Sequence, residues 1–286
     1  MRCRAFGLLI QSELRVPGAV DCADSGAAPD VEIVLGAAAL VKSGARLGPW
    51  RGDRSALLLE ADGVAKYLCE LGGRVVVEPA PGAREYDVLG LLIASALPAL
   101  LWMRGDFALH ACAVAMPGRS AAIAIAGRSG AGKSTVLREL IAAGARVVGE
   151  DVLRLRVANG VAEIRGLSGA RFEVDEHGVP GGDRIEIPIP SASGLESADL
   201  AAIFTLTDRA AAGPSAFDRL DALASVGTLL AMRHRPRVPR LLGLEAFCLE
   251  TAAALARHPP IYAWRRVEGE TTLNGDEIDF LRRIAP

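Results

Sequence analysis

The stretch Gly127-Arg128-Ser129-Gly130-Ala131-Gly132-Lys133-Ser134-Thr135 constrains this chain more than any other. It satisfies G-x-x-x-x-G-K-[ST], in which glycines let the backbone curl until consecutive N–H groups face an anion. Such a loop needs a strand leading in and a helix leading out. "AAIAIAG" (Ala121 to Gly127) reads as a buried strand. "STVLRELIAAG" (Ser134 to Gly144) reads as a helix, with Val136, Leu137, Leu140 and Ile141 on one face and Gly144 as its stop. The unit is therefore expected to cradle the phosphates of a nucleotide such as ATP. The helix start adds partial positive charge. Lys133 would reach the β- and γ-phosphates, and the Ser134 hydroxyl would ligate Mg²⁺.

"ARVVGEDVLRLRV" (Ala145 to Val157) is expected to form the next strand, with Glu150-Asp151 at a strand end. In a strand–loop–helix–strand unit the next strand commonly lies beside the first, which would bring this pair near Ser134. Carboxylates there hold Mg²⁺ or accept a proton from an attacking hydroxyl. "ALHACAVAM" (Ala108 to Met116) reads as one strand carrying His110. A lone histidine on an apolar strand is by itself more often a core residue than a site residue.

Ahead of this unit the pattern is different. "VEIVLG", "SALLLEAD", "VAKYLCEL" and "RVVVEPAPG" are short apolar runs between Val31 and Gly82, punctuated by Gly, Asp and Pro. They read as strands and hairpins with "ADG" and "LGG" as turns, so residues 1–85 are expected to be a smaller β-rich region and 86–286 the catalytic domain. The apolar run from Val88 to Met103 falls short of the ~20 residues that span a bilayer and carries Pro98, so a buried, bent helix is expected. "IYAWRRV" (Ile261 to Val267) reads as a late strand, and "GDEIDFLRRIA" (Gly275 to Ala285) as a closing helix.

Composition narrows the partners. Among 286 residues the net charge is −2 and no basic stripe is visible, which argues against nucleic acid. The cysteines, Cys3, Cys22, Cys69, Cys112 and Cys248, are odd in number and make no CxxC pair, so neither a disulfide framework nor a cysteine zinc site is indicated. The N-terminal apolar run is shorter than the ~7–15 residues of a signal peptide. A cytoplasmic protein with no membrane partner is the expectation.

With these residues in place, "LHACAVAMPGRSAAIAIAGRSGAGKSTVLRELIAAGARVVGEDVLRL" (Leu109 to Leu155) resembles the C-terminal catalytic domain of HPr kinase/phosphorylase. It is more similar still to the HPr-kinase-like proteins of peptide-modification systems, including lasso-peptide kinases. The opening "RAFGLLIQSELRVP" and the closing "PPIYAWRRV" share the likeness. The resemblance implies an α/β P-loop kinase fold of the HPr kinase and phosphoenolpyruvate carboxykinase type, and it moves His110 from core residue to site residue. It implies that Glu150, standing where that family has Asp, is the general base, and that Asp151 helps Ser134 hold Mg²⁺. Arg128 and Thr135 depart from the bifunctional HPr enzymes, and "IRGLSGARFEV" (Ile164 to Val174) only faintly echoes their later signature. HPr as substrate and phosphorolysis are therefore not expected.

The leading expectation is an ATP- and Mg²⁺-dependent kinase acting on a Ser or Thr hydroxyl of a peptide or small protein, such as a lasso-peptide precursor. The alternatives are a nucleotide-binding regulator without transfer and a small-molecule kinase. Arg154, Arg171 and Arg184 could grip substrate. "HRPRVPRLLG" (His234 to Gly243) reads either as a dock for an acidic peptide or as a solvated loop. Homo-oligomerisation, a property of HPr kinases, is also open.

Overall fold

The short apolar runs of the first third become one mixed sheet. Its strands are β1 (Arg2–Ala5), β2 (Leu8–Ser12), β3 (Val20–Asp21), β4 (Val31–Leu35), β5 (Ala45–Leu47), β6 (Trp50–Gly52), β7 (Ala56–Ala61), β8 (Ala65–Glu70) and β9 (Arg74–Pro79). They lie in the order β3-β1-β2-β4-β9-β8-β7-β6-β5. β4 runs parallel to both β2 and β9, and the remaining pairs are antiparallel. Phe6 and Gly7, both at positive φ (55° and 68°), make the tight turn between β1 and β2. The computed structural model describes residues 1–23, 26–41, 43–158, 160–174, 184–207 and 213–284, apart from the side chains of Val174 and Arg184.

The apolar run forms α1 (Glu85–Leu91), a π-helical turn (Leu92–Ala96) and α2 (Leu97–Met103). At 19 residues this helix is long and apolar enough to cross a membrane by length and composition, contrary to the sequence expectation. Its most apolar window, however, is 67% buried inside the protein. The irregularity has a cause in Pro98, which offers no N–H to the carbonyl one turn earlier. That carbonyl, Ala94 O, instead accepts from Arg235 Nε at 3.1 Å.

A second mixed sheet follows. It contains β10 (Phe107–Leu109), β11 (Ala111–Ala115), β12 (Ala122–Gly127), β13 (Arg146–Gly149), β14 (Leu153–Ala158) and β15 (Val161–Arg165), with α3 (Lys133–Ala142) after β12. A separate hairpin pairs β16 (Ala170–Val174) with β17 (Arg184–Pro188). Then come β18 (Ala198–Leu206), β19 (Ala216–Arg219), α4 (Ala222–Ala231), α5 (Arg237–Leu241), α6 (Glu245–Leu255), β20 (Ile261–Arg265) and α7 (Gly275–Ile284). The strand order is β10-β14-β15-β18-β12-β11-β13, with β20 also on β18 and β19 on β20. β12, β18 and β20 are parallel.

Two strand expectations are corrected. "ALHACAVAM" breaks at His110: β10 pairs β14, whereas β11 pairs β12 and β13. "ARVVGEDVLRLRV" breaks between Gly149 and Leu153, and β13 lies beyond β11 rather than against β12. The antiparallel β11–β12 hairpin fills the place where the crossover strand was expected. Each break marks the point at which a strand leaves one partner for another.

Alternation along β11 and β12 splits the packing. Ala111, Ala113, Ala115, Ala122, Ala124 and Ala126 belong to a central cluster that also holds Tyr67, Val75, Leu92, Leu100 and Trp102. Val114, Ile123 and Ile125 face the other way, onto Val136, Leu140, Phe204, Trp264 and Leu281 under α3 and α7. The small alanine face suits close approach of neighbouring layers, and the branched face fills the deeper space under the helices.

Candidate functional site

The loop after β12 is shaped by glycine. Gly130 (φ 80°) and Gly132 (φ 99°) take left-handed conformations that side chains resist, and Gly132 opens α3. Lys133 Nζ donates to Gly127 O at 2.9 Å and to Arg128 O at 3.2 Å, closing the loop around the amine. Thr135 is half-buried in the first turn of α3, and Ala131 packs toward the cluster beneath it. Under the loop, Cys112 Sγ lies 3.8 Å from Lys133 O, and burial pushes this thiol up to about 12, which leaves it a packing group.

Glu150 and Asp151 part company. Glu150 is 6% exposed, and its Oε1 accepts from Ser134 Oγ at 2.8 Å. Its Oε2 accepts the Phe172 N–H at 2.8 Å, which ties the β16–β17 hairpin to the carboxylate. Asp151 sits at the centre of a γ-turn with φ 67°, in which Val152 N–H bonds Glu150 O at 2.8 Å. A non-glycine residue held there costs about 1–3 kcal/mol and such residues cluster at functional sites. The turn sends Asp151 to the other side, where its Oδ1 lies 3.3 Å from His110 Nδ1 and its main-chain oxygen 3.0 Å from the same nitrogen.

His110, Glu150, Asp151, Gly127, Arg128 and Ser129 all line a cavity of about 1170 Å³. Lys133, Ser134 and Thr135 are not among its lining residues. The far wall comes from Met232 to Pro236 and from the helix around Leu89 to Ala94, and Arg15 and Pro17 reach it from the loop between β2 and β3. His234, 6% exposed, stands with its ring centroid 5.8 Å from that of His110. Burial pushes the His234 imidazole down to about 4, with the nearby Arg235 and His110 adding and Asp151 opposing. Arg235 is likewise lowered by burial and raised by Asp151. The sequence reading put His234 in the run His234 to Gly243, a dock for an acidic peptide or a solvated loop, and gave Arg233 no role; His234, Arg235 and Pro236 line the cavity, and the run continues into α5 (Arg237–Leu241).

Of the arginines expected to grip substrate, Arg154 is buried, paired with Asp106 at 2.9 Å and donating to Phe6 O, so it holds the fold. Arg171 pairs with Glu173. The Arg184 side chain lies outside the described residues.

The donor set fits a nucleotide phosphate and a hard cation. A glycine-shaped loop ends in a lysine, and a hydroxyl and a carboxylate meet at 2.8 Å at the helix start.

No protein-family model matches the chain, and no curated protein matches it. Among solved structures, the HPr(Ser) kinase/phosphatase from Coxiella burnetii is similar at 16% sequence identity and a TM-score of 0.29, over 40% of this chain and 76% of that one. A likeness of that strength decides neither fold nor activity.

Proposed function

We propose that the protein is an ATP-dependent phosphotransferase, and that its acceptor is the hydroxyl of a Ser or Thr in a peptide or small protein such as a lasso-peptide precursor. The observation that carries the reading is the division of the carboxylate pair. Glu150 is bonded to Ser134 at the start of the phosphate-loop helix, and Asp151 faces the cavity beside His110. The loop N–H groups and Lys133 hold the triphosphate and offset charge on the transferring phosphoryl. Ser134 and Glu150 would hold Mg²⁺, which would supply positive charge against the charge developing on the transferring phosphoryl. Asp151 takes the acceptor proton, and His110 keeps its carboxylate aimed at the cavity. This reverses the division of labour implied by the family resemblance.

The cavity exceeds the roughly 300–1,000 Å³ of a typical single-ligand pocket, which supports two substrates meeting there. A small-molecule hydroxyl is the second reading, favoured by the apolar side chains of Tyr86, Ile93 and Phe172 in the cavity lining.

The test is ATP-dependent phosphorylation of candidate peptides, followed by mass spectrometry. Asp151→Asn should lower transfer by about 10²-fold or more while nucleotide affinity holds, as expected for loss of a general base. Glu150→Gln should instead weaken Mg²⁺-dependent nucleotide binding. Near-normal transfer by Asp151→Asn would remove it from the base role.

A further inference from the structure

We propose that His110, Asp151 and His234 form a binding site for a zinc-like divalent ion, separate from the all-oxygen set of Ser134 and Glu150. One ligand atom from each of the three residues lies within 4.8 Å of the other two. Ligands around a tetrahedral ion at about 2.0–2.1 Å stand about 3.4 Å apart, so modest side-chain rotations close the set. Two imidazoles and one carboxylate suit zinc and cobalt, whereas Mg²⁺ prefers oxygen alone.

An independent observation points to a ligand. His234 Nδ1 is buried, in a residue only 6% exposed, and makes no hydrogen bond. A buried polar atom without a partner is uncommon and calls for an explanation such as an ion. The two histidines are also held in place from the backbone. His110 N–H donates to Met232 O and His234 N–H to Ala108 O, each at 2.8 Å, and Leu109 bridges Arg233 in antiparallel fashion between them. The imidazoles thus project from paired extended segments, the kind of rigid support a metal site requires. The neighbouring cation Arg235 bonds Ala94 O through its Nε and acts on Asp151 and His234 through its charge alone.

A consequence rests on the phosphotransfer reading. With its carboxylate on the ion, Asp151 no longer accepts a proton, so zinc suppresses transfer.

Titration of the full chain with Co²⁺ tests the site directly, because tetrahedral Co²⁺ absorbs visibly. The expected result is one equivalent bound, with affinity falling about tenfold or more in His234→Ala and in Asp151→Asn, by analogy with lost metal-supporting groups. His234→Gln, which keeps most of the volume without the ring, should behave like His234→Ala, and an unchanged melting midpoint guards against misfolding. No uptake by the unmodified protein, or uptake by both His234 variants equal to that of the unmodified protein, overturns the site. In the activity arm, Zn²⁺ should suppress transfer by the unmodified protein and spare His234→Ala. Co²⁺ binding without transfer to any acceptor would sink the phosphotransfer reading and leave the metal site standing.

Discussion

At Gly149 a side chain has nowhere to go: a Cβ there would lie 2.7 Å from the Cα of Gly166 and 3.0 Å from the Leu167 nitrogen. The two backbones touch because β13 must end flush against that segment for the next residue, Glu150, to reach Ser134 and Phe172. Gly149→Ala should therefore push the chains apart and destabilise the protein by about 1–3 kcal/mol, as overpacking does. Urea unfolding reads the stability, and Mg²⁺-nucleotide affinity should fall with it. An alanine variant with unchanged stability and affinity would mean that the contact relaxes without disturbing Glu150. The same scale explains why a Glu at position 150 works in this setting. Its longer side chain spans two partners, Ser134 Oγ and the Phe172 N–H, both at 2.8 Å.

Between elements, the β16–β17 hairpin couples the first sheet to the site. Phe172 on β16 bonds Glu150, and on β17 the Glu186 carboxylate accepts the Gly18 N–H at 2.8 Å and pairs with Arg15. Arg15 and Glu186 both line the cavity, so the hairpin is a wall and a tether at once. Glu186→Ala should cost about 1.5–3 kcal/mol, the range for a hydrogen bond to a charged group, and should speed hydrogen exchange at the Gly18 amide. Arg15→Ala, which removes a half-exposed partner, should cost under about 1 kcal/mol. Equal losses from the two changes would show the ion pair, rather than the backbone bond, to be the tether. A similar cross-element bond, from Arg235 Nε to Ala94 O, joins the π-helical turn before Pro98 to the cavity wall.

Across the whole molecule, one apolar cluster runs through both sheets and the helix between them. Cys3, Ile33, Tyr67 and Val77 belong to it, as do Leu92, Trp102, Ala124 and Leu153. Tyr67 Oη donates to Val88 O at 2.7 Å, and Trp102 Nε1 to His234 O at 3.0 Å, which pins the helix on both sides. The division into residues 1–85 and 86–286 is thus proposed as two sheets on a shared core rather than two independent folding units. Calorimetry of the full chain should give a single transition, and a chain starting at residue 86 should aggregate because the apolar helix loses its cover. Two resolved transitions, or a soluble and cooperatively folding 86–286 fragment, would make the halves independent.

The glycine-rich loop at 127–134, its flanking strand and helix, and the strand-rich opening were legible along the chain. Each depends on local rules: glycine where φ is positive, alternation in strands, helical spacing after Lys133. The carboxylate pair was legible too, but not its division, because a left-handed turn at Asp151 reverses one side chain relative to its neighbour. His234 was hidden for a different reason. It stands 124 positions from His110 in the sequence, and only the backbone pairing of Ala108–His110 with Met232–His234 brings the two rings to 5.8 Å. Local periodicity determines which segments become strands and helices; which strand leaves which partner, and so which side chains share a cavity, is decided by tertiary packing and strand register.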